Sequence, residues 1–314
     1  MSTYINHVLE QVNLVTEKCG PILLFGENID TGSCIGGLAR GIKVNNEGRI
    51  QNVGNHELTH CGVGLGIMLD GGNATLFVKQ LDFMLLGLDQ ICNTYNFIRA
   101  YSPRDCWGSF TIFSIVCDQG YQGPQSSFNG AGDFSSIANI PIYCLNGTAD
   151  VSRVISQQFV KPGFRIICLS QRQFNDDKLN TIPQWIAEDS SLFKYKTGDH
   201  GTIVSYNFTL TDTLSINEKL MNTGLGCDLF QANFVPKMDL TPIIESCERT
   251  GKLIIIDDSK TVTKFSDQIL TQLCVKDINV KLLEINRRGL YDDQYGANQD
   301  QIDISIDKFY NFLK

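Results

Sequence analysis

The strongest constraint on this fold is an alternation of short apolar runs with stretches of helical periodicity. Residues 21–26, 74–78, 110–117, 141–145 and 164–169 are runs of five to eight mostly apolar residues. Such runs are too short for buried helices and suit strands covered on both faces of a parallel sheet. Helical spacing covers residues 1–19, with Ile5, Val8, Leu9, Val12 and Val15 on one side, and recurs over 57–70, 83–101 and 149–160. A polar, poorly periodic stretch follows at 171–200. A second alternation then begins, with strands at 202–206, 228–233, 253–257 and 281–284 and helices at 212–224, 239–250 and 263–274. The pattern predicts an α/β chain of two domains, each a mostly parallel sheet flanked by helices. Residues 1–175 form the first, 176–200 the linker and 201–314 the second. With 314 residues the chain exceeds the length, about 250–300 residues, at which a single core stops growing.

Composition narrows the function. Charged residues make up 19% of the chain, against a usual share of about 25%. The net charge of −8 argues against a nucleic-acid or anionic-membrane surface. So low a charge predicts that a partner covers part of the surface. The 11 cysteines include no C-x-x-C pair, residues 1–11 carry no basic start or apolar run, and no apolar stretch is long enough to span a bilayer. The expectation is a reduced, cytoplasmic protein. Gly62, Gly64 and Gly66 are costly inside a helix and predict close approach of another backbone.

His56-Glu57-Leu58-Thr59-His60 matches H-E-x-x-H, in which two imidazoles one helical turn apart bind zinc and the glutamate serves as base. The third ligand is missing from the spacing. The extended pattern needs glycine and histidine where Val63 and Gly66 stand, and the next glutamate after Glu57 is Glu188. No metal ligand is assigned.

A different set of features occurs in an informative order: Gly26-Glu27-Asn28, Gly36-Gly37, Glu57 opening a glycine-bearing helix, Gln80-Leu81-Asp82-Phe83, and Asp89-Gln90-Ile91-Cys92-Asn93. Gly123-Pro124-Gln125-Ser126-Ser127 and the stretches 242–246 and 250–257 complete it. Over residues 15–285 the chain resembles the beta subunit of the thiamine-diphosphate-dependent 2-oxoacid dehydrogenases and the C-terminal two-thirds of transketolase. The resemblance implies a pyrimidine-binding domain followed by a transketolase C-terminal-like domain. It implies thiamine diphosphate shared with an alpha-type partner, which would hold the diphosphate and most contacts to Mg2+, in an α2β2 assembly. The Gly-Asp-Gly run of the diphosphate side is absent here.

The resemblance also assigns roles. Glu57 would hydrogen-bond a ring nitrogen of the aminopyrimidine and so promote proton removal from the thiazolium carbon, with burial raising its carboxyl pKa. Glu27, Gln80, Leu81 and Phe83 would contact the cofactor, and Gln125, Ser126, His56 and His60 would serve substrate. Read without the resemblance, Glu57 is a glutamate favoured by a helix N-terminus, and Phe77 and Phe83 are core. Ser126 stands where most relatives carry a histidine, and serine does not titrate near neutrality. That departure favours ketol transfer or carboligation of a 2-oxoacid or ketose in a specialised pathway over a central dehydrogenase. A dehydrogenase subunit proper and a non-catalytic subunit that stabilises a cofactor-binding partner stay open beside it.

Overall fold

Strand β4 (Ser109–Val116) is buried along its whole length, as a central parallel strand covered on both faces must be. The computed structural model describes residues 3–116, 128–175, 180–260, 263–286, 302 and 304–314. Beside β4 lie β1 (Ile22–Gly26), β2 (Arg49–Asn52), β3 (Asn73–Val78), β5 (Ile142–Leu145) and β6 (Gly163–Ser170). They form one sheet in the order β2-β1-β3-β4-β6-β5, and every pairing in it is parallel. Helices α1 (Tyr4–Thr16), α2 (Glu57–Leu69), α3 (Tyr95–Tyr101), α4 (Ala131–Ala138) and α5 (Thr148–Gln158) accompany it.

The second sheet contains β7 (Trp185–Ile186), β8 (Leu192–Asp199), β9 (Thr202–Tyr206), β10 (Cys227–Ala232), β11 (Lys252–Asp257) and β12 (Lys281–Asn286). Its order is β12-β11-β9-β10-β8-β7. Strands β9 to β12 pair in parallel, while β8 runs antiparallel to β10 and β7 antiparallel to β8. Helices α6 (Leu210–Asn222), α7 (Thr241–Thr250), α8 (Asp267–Val275) and α9 (Ile306–Leu313) follow in chain order. Helix α7 has the expected stop and start: Pro242 lies in its first turn and Gly251 ends it at φ 63°. The mostly parallel two-sheet α/β architecture is therefore present.

Three differences from the sequence reading have physical causes. The stretch expected as a linker contains β7 and β8, which join the second sheet. Strand β8 looks polar because it carries Lys194, Lys196, Thr197 and Asp199, but the Lys194 ammonium pairs with the buried Asp228 at 3.0 Å. The helix expected over 83–101 begins earlier and changes pitch: 3-10 over Leu81–Gly87, π over Gln90–Thr94, and α only from Tyr95. Helix α4 falls between the strands at 110–117 and 141–145, where the sequence reading placed no helix.

The α2 glycines divide by environment. A Cβ on Gly64 would meet the Phe110 ring at 2.2 Å, so this glycine is required by a side chain and not, as expected, by a neighbouring backbone. At Gly66 a Cβ would meet nothing within 4 Å. Gly64→Ala is expected to destabilise the isolated chain by about 1–3 kcal/mol through overpacking. Gly66→Ala should stabilise it by about 0.5–1 kcal/mol through helix propensity. Chemical denaturation of both variants measures the contrast.

Candidate active site

Beyond the carboxyl ends of β1 and β3 the first sheet opens into a cavity of about 280 Å3. Open parallel sheets place ligands at this end of their strands. Gly26 closes β1: a Cβ there would lie 2.5 Å from the Phe77 carbonyl oxygen, so glycine lets β1 and β3 end side by side. The chain then turns through Asn28 at φ 56°, a conformation asparagine tolerates better than most residues. Glu27 and Asn28 thereby reach the cavity.

Glu57 is the first residue of α2, half-buried, with its carboxyl at the positive end of the helix. A Cβ on Gly87 would sit 2.7 Å from the Cys61 sulfur and 3.4 Å from the Glu57 carbonyl oxygen. Its absence lets the 3-10 stretch lie on the start of α2, which brings Phe83 and Met84 into the cavity that Glu57 lines. His60, one turn along α2, lines it too and sets its ring edge-on to Phe25 at 6.0 Å. Burial holds the His60 imidazole below its usual pKa, against the nearby Glu57 carboxylate, so the ring is neutral at pH 7.

Below the cavity, Asp82 is buried and accepts a hydrogen bond from the Phe128 amide at 3.3 Å. Burial pushes its carboxyl up to about 7, against that amide and the Lys260 ammonium, both of which favour the charged form. The folded chain then holds this proton more tightly than the unfolded chain between about pH 4 and pH 7, so this group lowers stability as pH rises through that window. Asp82→Asn is expected to gain melting temperature over the parent as pH is raised from about 5 to about 8. A gap that does not change with pH would contradict the assignment.

No family model matches the chain. The beta subunit of the pyruvate dehydrogenase E1 component from Rhizobium meliloti (strain 1021) is 19% identical over 215 residues, covering 68% of this chain and 46% of that protein. A split-gene transketolase solved as an inactive beta4 tetramer superposes with a TM-score of 0.67 at 13% identity, covering 95% of each chain. Transketolase from Campylobacter jejuni superposes with a TM-score of 0.68 at 11% identity, over 98% of this chain and 46% of that one. The chain resembles the beta subunits of the transketolase and 2-oxoacid dehydrogenase family. It spans about half the length of the Rhizobium protein and of the Campylobacter transketolase.

Within this transketolase-type fold, Glu27, Glu57, His60 and Phe83 line one cavity. Gln80 and Leu81 are buried beside it without lining it. His56 precedes α2 and is exposed. Gln125 and Ser126 lie outside the described residues. Glu57 is half-buried in this chain, short of the enclosure that the sequence reading gave it. Asn55, Lys79 and Met84 also line the cavity although nothing in the sequence assigns them to it, as does Asn28, to which the sequence assigns no role. Lys79 had one usable signal, being the first charged residue after an apolar run. Among the described residues no group of three or more histidine, cysteine, aspartate or glutamate side chains could hold a metal ion. No helix among them is long and apolar enough to cross a membrane.

Proposed function

We propose that this chain is the beta-type subunit of a two-subunit thiamine-diphosphate enzyme. The enzyme cleaves a 2-oxoacid or ketose and passes the acyl or two-carbon unit to an acceptor. The observation that carries this reading is a helix-start carboxyl, Glu57, sharing a cavity with Phe83 at the carboxyl ends of β1 and β3. The cavity has the size of a ring site, and its walls fit an aminopyrimidine. Phe77, Phe83, Met84 and Ile35 supply apolar contact, while Glu57 supplies the hydrogen-bonding carboxyl. Lys79 is the one formally cationic lysine or arginine among the lining residues, too little for a diphosphate and its Mg2+. An alpha-type partner therefore holds that end.

When bound, the cofactor supplies an electron sink for cleavage next to a carbonyl. Glu57 holds a proton at the ring nitrogen, and its half-open position leaves the partner to complete the enclosure. Phe83 and Met84 orient the ring and keep water from its face. His60, neutral beside Glu57, offers a hydrogen bond without adding charge.

The surface is consistent with a partner. Of the thirteen exposed large apolar side chains among the described residues, seven belong to α2, the 3-10 stretch, α3 and α4: Leu58, Val63, Leu85, Leu86, Phe97, Tyr101 and Ile137. Gly66, which nothing in this chain approaches, lies on the same helix as Leu58 and Val63. An α2β2 assembly buries such a face.

The test is reconstitution with an alpha-type chain carrying the Gly-Asp-Gly run, with thiamine diphosphate, Mg2+ and a panel of 2-oxoacids and ketoses. Turnover that requires both chains is expected. Turnover by this chain alone, or cofactor binding by the pair that is indifferent to Glu57, would contradict the reading.

A further inference from the structure

A second cavity, of about 500 Å3, lies between the two sheets' ends, away from the site above. One side of α3 with Arg104 just beyond it, the α4–β5 turn and the segment after β10 line it. An antiparallel bridge between Ile142 and Phe234, with N–H to O distances of 2.9 and 3.0 Å, fastens the two sheets together beside it. Its lining carries three cations, Arg99, Arg104 and Lys237, and no aspartate or glutamate. In a chain of net charge −8 this concentration runs against the overall balance.

Among the described residues none of the three cations is ion-paired with a carboxylate. The Arg99 guanidinium donates to the Asn139 and Ala138 carbonyls at 2.7 and 3.2 Å and to the Asn96 side chain at 3.1 Å, and lies over the Tyr95 ring at 4.8 Å. Neutral acceptors thus fix its orientation and leave its charge uncompensated. Arg104 lies over the Trp107 ring at 5.7 Å. Lys237 is exposed at the rim.

A fourth cation stands behind the wall. Arg165 is buried near Tyr95 and Tyr143, whose rings line the cavity. Its guanidinium donates to the Thr111 hydroxyl and to the Lys161, Pro162 and Gly163 carbonyls, again without a carboxylate. The carboxylate near Tyr143 belongs to Asp189 and is engaged by the Ser191 amide and hydroxyl.

We infer that this inter-sheet cavity binds a small polyanion bearing a phosphoryl group. One guanidinium, Arg99, is held in place, and with Arg104 and Lys237 at the same concavity it offers phosphoryl oxygens three positive charges. Charges unpaired among the described residues ask for a ligand of charge −2 or more, and the concave shape and volume suit a small molecule. Because the cavity is walled by both halves of the chain, a bound anion draws them together and stabilises the fold. The inference stands independently of the thiamine diphosphate reading.

The probe is inorganic pyrophosphate, added to the full-length chain at low ionic strength and followed by calorimetric titration and by melting temperature. Tryptophan fluorescence in a Trp185→Phe background reports on Trp107 beside Arg104. The expected result is saturable binding that raises the melting temperature and changes Trp107 emission. Arg104→Ala combined with Lys237→Ala should weaken it by about tenfold or more, the loss of charge-assisted hydrogen bonds. Lys281→Ala combined with Lys308→Ala, the same charge change elsewhere, should leave it unchanged. Lys79→Ala, in the other cavity, should leave it unchanged too. Absence of saturable binding to the parent chain would overturn the inference, as would equal weakening by the control pair or loss through Lys79→Ala.

Discussion

Glu57→Gln is expected to lower turnover of the reconstituted two-chain enzyme by about 100- to 10,000-fold, the range for removing a positioned acid–base group. On the role proposed for Glu57, the substitution would keep the shape of the side chain and a hydrogen bond to a ring nitrogen but remove the exchangeable carboxyl proton. Its effect on folding should be small. Glu57 is half-buried at the start of α2, where a helix-dipole interaction is worth about 0.3–1 kcal/mol. A melting temperature within a few degrees of the parent, paired with collapsed turnover, separates chemistry from folding. Full turnover would remove Glu57 from the mechanism.

Self-association of the isolated chain is the second large effect. Leu86, Phe97 and Tyr101 are 62, 67 and 75% exposed, and the last two rings stand 4.7 Å apart. Burying large aromatic and aliphatic side chains of this kind is worth about 1.5–3 kcal/mol each. The chain without its alpha-type partner should therefore sediment as a dimer or larger species at micromolar concentration. Leu86→Lys with Phe97→Glu should weaken that association by about 100-fold or more, as loss of two anchor residues does. The same pair of substitutions should block assembly with the alpha-type chain while leaving the monomer folded. A parent chain that is monomeric and inert in sedimentation would contradict the covered-face account.

The parts of the fold that were legible in the sequence were those where both faces of an element meet the same environment. Strand β4 is buried throughout, so its apolar run needed no context. Strand β2, with the sequence Arg49-Ile50-Gln51-Asn52, sits at a sheet edge and shows half-polar faces, so nothing in its periodicity announced it. Strand β8 becomes legible only once Asp228, far along the chain, is seen to neutralise Lys194. The pitch changes between Leu81 and Thr94 go with the packing of Gly87 against the start of α2, a contact that spacing does not encode.

The site divides in the same way. Glu57 was legible because it opens a helix within an ordered series of motifs. Asn28, Asn55 and Lys79 reach the cavity only because parallel strands end side by side, and their neighbours in sequence say nothing of it. The exposed apolar side chains gather on α2, the 3-10 stretch, α3 and α4, and the low charge count alone did not say where they would lie. The cations of the cavity between the sheets had no sequence signature, since Arg99 and Arg104 meet Lys237 only through the fold.

The most direct measurement of the central claim needs no substrate. In the assembled pair with thiamine diphosphate and Mg2+ bound, exchange of the thiazolium ring proton for deuterium can be followed by quenched-flow NMR. The account predicts rapid exchange in the parent and exchange slower by about 100-fold or more in Glu57→Gln. Equal rates in the two proteins would contradict it.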